Sequence, residues 1–125
     1  MKRYSNRVEL APPQNYDIHT IRENEYAQVA KCIYKVYGYS YPNEDLYYPE
    51  KIKLLNKAGK LISVIATDEK GQEVGHYTLE RYDLGHIAET AQAIVIPQHR
   101  KRELIEKMRA KLEQIEIRLM SLNMK

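Results

Sequence analysis

The 125 residues predict an α+β fold in which a mixed, mostly antiparallel sheet is flanked by helices. Three observations carry that expectation. Leu61–Thr67 (LISVIAT) is a nearly unbroken β-rich run, the pattern of a strand buried on both faces. Glu73–Tyr82 and His86–Ile96 follow it across short turns at Asp68–Gln72 and Asp83–Gly85, as antiparallel partners would. Apolar residues at helical spacing stand on either side, in Ala27–Tyr37 before the strands and in Ile105–Leu122 after them. The expected element order is β, α, α, β, β, β, α.

Met1–Asn15 is polar, holds Ala11-Pro12-Pro13 and reads as an extended arm or linker, which leaves residues 16–125 as one domain. Tyr16–Arg22 alternates and predicts a short strand. Asn24 is the expected N-cap of the first helix, whose polar stripe is only Gln28, Lys31 and Lys35, so most of its circumference must be buried. Gly38 ends it. Gly38–Pro49 is a tyrosine-rich loop that its two prolines are expected to keep irregular. Pro49 opens a second short helix and Gly59 stops it. In the last helix, Ile105, Met108, Leu112, Ile115, Leu119 and Leu122 are spaced 3-4-3-4-3. The stripe is expected to pack mainly on the sheet, its end being a candidate contact with a second copy, as is a sheet edge left open.

Composition narrows the function classes. A chain with 43% apolar and 30% charged residues can build a core, and its net charge of +3 is too small to imply nucleic acid by itself. The acidic residues interleaved in the last helix argue against it too. There are eleven tyrosines but no Phe or Trp, a composition suited to half-wet grooves. The single Cys32 excludes an internal disulfide and a cysteine-based zinc site and fits a cytoplasmic location. The four histidines lack metal spacing, so no metal is expected. No apolar run is long enough for a membrane span, and Met1-Lys2-Arg3 leads into no apolar segment of a signal peptide.

The stretch with most chemical content joins the last strand to the last helix: Pro97, then His99-Arg100-Lys101-Arg102. A strand that turns through basic residues into a helix start offers unpaired amides, the positive end of a helix dipole and whole cationic charges. It predicts an anion site.

Glu89, Val95, Pro97, His99 and Arg100 are spaced in a way that resembles the central motif of the GCN5-related N-acetyltransferases (GNAT), roughly E-x-G-x-L-x-V-x-P-x-Y-R-G-x-G-x-G. Where that motif has glycines, this sequence has Lys101, Glu103 and Ile105. The Gly38–Pro49 loop, with Tyr37 and Glu50 flanking it, also resembles a YGY-x-YP-x-E-x-LYYPE run of some bacterial members, where the domain sits in larger signalling proteins. The resemblance covers about residues 16–119. In the family a further strand, helix and strand pair follow, so it implies the N-terminal part of the GNAT fold. It also implies acetyl-CoA as co-substrate and an amine as acceptor. Glu89 would be the base, the backbone at Ile94, Val95 and Ile96 would meet the pantetheine, and Arg100, Lys101 and Arg102 would meet the phosphates. Tyr39, Tyr41, Tyr47 and Tyr48 would wall the acceptor cleft. The glycine substitutions leave a second reading open, a GNAT-like sensor or interaction module that does not catalyse.

Overall fold

The chain runs β1 (Asp17–Thr20), α1 (Tyr26–Tyr37), α2 (Pro49–Lys57), β2 (Leu61–Thr67), β3 (Glu73–Asp83), β4 (His86–Val95) and α3 (Leu104–Asn123). Short 3-10 turns lie at Glu23–Glu25, Glu44–Tyr47 and Pro97–His99. The computed structural model describes residues 9–41, 44–83 and 86–123, with the side chains of residues 44, 81–83, 86–91 and 119–123 outside that description. The element order is the one the sequence predicts.

The four strands pair in the order β1-β2-β3-β4, and all the pairings described are antiparallel. β2 is interior, and all of its residues are buried. Alternation sends Leu61 and Ile65 to one face and Ile62, Val64 and Ala66 to the other. The first face is covered by Val29, Cys32 and Ile33 of α1 and Ile52 of α2. The second is covered by Leu104, Met108 and Leu112 of α3. Each such buried aliphatic side chain contributes about 1.5–3 kcal/mol, which is why one continuous strand can hold helices on both faces.

Three local features differ from expectation. α1 starts at Tyr26 rather than after Asn24, because a 3-10 turn at Glu23–Glu25 precedes it. The buried Glu25 carboxylate there accepts from the Arg22 N–H (2.8 Å) and lies 2.7 Å from His19 Nε2, which ties the helix entry to β1. The tyrosine loop is not wholly irregular: Glu44–Tyr47 makes a turn of 3-10 helix between the two prolines, where three-residue hydrogen bonding needs little chain and lets Leu46 reach the core. The buried face of α3 begins at Leu104, one residue before the predicted stripe, and Ile105 is only half-buried.

One glycine fixes how β3 meets β4. A Cβ on Gly75 would lie 2.7 Å from the Ile94 carbonyl oxygen, so the strands approach where only glycine fits. β4 is an edge strand, and its C-terminal end leads directly into the site.

Candidate functional site: the cleft between β4 and α3

Past Val95 the chain keeps one more link to the sheet, from the Ile96 N–H to the Val74 carbonyl (2.8 Å). Pro97 then starts the 3-10 turn, closed by the His99 N–H to Ile96 C=O (2.9 Å) and the Arg100 N–H to Pro97 C=O (3.3 Å). The Arg100 side chain folds back and donates from Nε to Val95 C=O (3.0 Å), holding the guanidinium at the strand end.

Lys101 (φ 66°) and Glu103 (φ 59°) then take left-handed backbone conformations, the only non-glycine residues to do so among those described. For an L-residue this costs about 1–2 kcal/mol. The double turn redirects the chain into α3, whose amides at residues 104–106 precede the first helical bond, Lys107 N–H to Glu103 C=O (3.0 Å).

These residues enclose a cavity of about 560 Å³ lined by Val36 and Tyr37 at the end of α1, by Ala93–Val95 and by His99–Glu106. Arg100, Lys101 and Arg102 supply positive charge to its wall, and Glu103 and Glu106 oppose it. Burial and the neighbouring Arg102 push His99 below the usual imidazole range, against a smaller opposite pull from Asp68. The ring is neutral at neutral pH, and its Nδ1 lies 2.9 Å from the Tyr16 hydroxyl.

No protein-family profile and no curated protein matches the chain in sequence. Solved structures do match in shape. The aminoglycoside N-acetyltransferase AAC(6′)-Iy, in complex with CoA, superimposes with TM-score 0.63 over 87% of this chain and 74% of its own, at 16% identity. A GNAT family acetyltransferase from Brucella melitensis, in complex with acetyl-CoA, gives 0.60 over 83% and 70%, at 18% identity. One from Staphylococcus aureus gives 0.63 over 78% and 62%, at 15% identity. The chain has the GNAT fold. It spans between 62% and 74% of those three chains.

Within this GNAT fold the expected site residues divide. Ile94, Val95, Arg100, Lys101 and Arg102 all line the cleft, whereas Ile96 packs into the core beneath α1 and α2. Glu89 pairs with Arg81 in the β3–β4 register, and its side chain lies outside the described residues. The four loop tyrosines do not form one wall. Tyr39, Tyr47 and Tyr48 join Tyr34, Lys31 and Lys35 around a second cavity of about 580 Å³. Tyr41 is buried instead, its ring 5.0 Å from Tyr37, which faces the first cleft. Tyr47 is structural as well, accepting from the Tyr41 N–H (2.9 Å) and donating to Gly38 C=O (2.7 Å).

Sequence reasoning missed Tyr16 and the segment before it as neighbours of the turn. Arg102 donates from Nη1 to Pro12 C=O (3.2 Å) and to the Tyr16 hydroxyl, and from Nη2 to Ala11 C=O. These partners are at least 86 residues apart in sequence, and no local pattern announces them. Val36 and Tyr37 were legible only as apolar positions on a helix.

Proposed function

We propose that this GNAT-fold domain binds an acyl-CoA in the β4–α3 cleft and catalyses transfer of an acetyl group to an amine. The observation that carries the reading is the double left-handed turn at Lys101 and Glu103, because it sets the first turn of α3 against a cavity beside edge strand β4. The residues fit the group: the amides and the cations of Arg100 and Lys101 suit a diphosphate, and the backbone of edge strand β4 at Ala93 and Ile94, which lines the cleft, suits an amide-bearing arm. When bound, acetyl-CoA supplies an acyl thioester that an amine can attack.

Glu89 is proposed to take the proton from the attacking ammonium. Arg100 orients the diphosphate while its Nε stays on Val95 C=O, which couples anion binding to the end of the strand. Tyr39, Tyr47 and Tyr48, which line the second cavity, are the loop tyrosines proposed to stand on the acceptor side, with Tyr41 buried against Tyr37. The deciding experiment offers acetyl-CoA with a panel of aminoglycosides, polyamines and peptide amines, and follows thiol release. The reading expects turnover with at least one class, falling about 10²–10⁴-fold in Glu89→Gln. CoA binding with no thiol release above buffer for any amine would favour the non-catalytic module instead.

A further inference from the structure

Arg102 lies between the two left-handed residues of the turn, and its guanidinium does not lie loose in the cleft. It is held by Ala11 C=O, Pro12 C=O and the Tyr16 hydroxyl, and sits 5.9 Å over the Tyr16 ring. The segment that supplies these acceptors is itself anchored at both ends. Ala11 N–H donates to Gln98 C=O (2.8 Å), Asn15 N–H donates to the Glu69 carboxylate (3.0 Å), and Glu69 N–H donates to the Gln14 side chain (3.2 Å).

A strained backbone conformation persists only where the surroundings over-determine it. Lys101 and Glu103 have no glycine's freedom, so something must hold them, and the residue between them is tied across the molecule. We propose that residues 11–16 are a clamp that, through Arg102, keeps the turn at Lys101 and Glu103 in the shape the cleft requires. Arg102 is then a positioning residue and not an anion ligand. All three acceptors are neutral oxygens, so what the clamp uses is the planar fork of donors and not its charge alone. One of its two readouts rests on the acyl-CoA reading; the other does not.

The test combines CoA titration with amide hydrogen exchange on the full chain. Arg102→Ala and Tyr16→Phe are each made in the natural background and in Lys101→Gly/Glu103→Gly, which leaves net charge unchanged. Glycine adopts positive φ unaided, so the second background needs no clamp. Arg102→Ala is expected to weaken CoA about tenfold in the natural background and less than about threefold in the glycine background, a non-additivity that marks coupling. Tyr16→Phe, which keeps every charge, is expected to weaken it about threefold in the first background only. Equal loss from Arg102→Ala in both would make Arg102 a direct anion ligand and overturn the clamp. Without ligand, Arg102→Ala should speed exchange at the Ala11 and Asn15 amides, bonded to Gln98 C=O and the Glu69 carboxylate, and at Lys107, bonded to Glu103 C=O, and no change at any of them would also overturn it. If exchange responds in this way while the unaltered chain binds no CoA, the clamp stands and the acyl-CoA reading falls.

Discussion

His76 is fully buried on β3, opposite Ile65 of β2 and Ile94 of β4, and neither ring nitrogen has a hydrogen-bond partner among the described residues. Burial lowers its pKa from the ordinary 6.5 to about 4. The folded chain therefore binds this proton less readily than the unfolded chain does, so stability from this residue is complete above the unfolded value and lost as pH falls from about 6.5 through about 4. The loss is on the order of 3 kcal/mol. Urea unfolding at pH 7.5 and pH 4.5 should show it, and His76→Leu should flatten the difference. Cys32 shows the same physics in a thiol: burial first and the Glu73 carboxylate second push its pKa up to about 12. Native protein should react with a disulfide reagent only as fast as it unfolds. Cys32 stands off the polar stripe of Gln28, Lys31 and Lys35, which is what made its burial legible in the sequence. It could not show His76 without a partner, nor Glu25 with one, because both depend on what the opposite element brings.

At the scale of elements, the strand–turn–helix device was readable from composition, since a proline, four basic residues and a long amphipathic run can do little else. What could not be read was the sign of φ at Lys101 and Glu103, because both residue types prefer right-handed conformations and only the surrounding contacts impose the other hand. Glu103→Gly removes that local cost of about 1–2 kcal/mol, offset by the greater freedom of glycine in the unfolded chain. A net gain of up to about 1 kcal/mol is expected, read as a higher melting temperature, together with tighter CoA binding as a carboxylate leaves the cleft. Gly75→Ala acts in the opposite direction. Its new methyl would meet the Ile94 carbonyl at 2.7 Å, and overpacking of this kind costs about 1–3 kcal/mol. Faster amide exchange along the β3–β4 pairing would confirm that the strain falls there, and unchanged stability would contradict the close approach.

At the scale of the whole molecule, local pattern specified most of the architecture. β2 reads as a central strand because its residues are apolar on both alternations, and the helices on either face follow from the stripes that cover Ile65 and Val64. The contacts that finish the site were out of reach, because they join residues 11–16 to Arg102 across almost the full chain and carry no periodicity. The tyrosine loop was legible as sticky but not as divided, with Tyr41 and Tyr47 packed inward and Tyr39 and Tyr48 turned to solvent. No helix among the described residues is long and apolar enough to cross a membrane.

The measurement that bears most directly on the central claim is a calorimetric titration of the chain with CoA at low and moderate salt, beside Arg100→Ala. The account predicts micromolar binding that weakens with salt and falls about tenfold in the variant, as loss of a charge-assisted contact to a diphosphate would cause. No heat and no thermal shift at millimolar CoA would contradict it, leaving a GNAT fold whose basic cleft does not take an acyl-CoA.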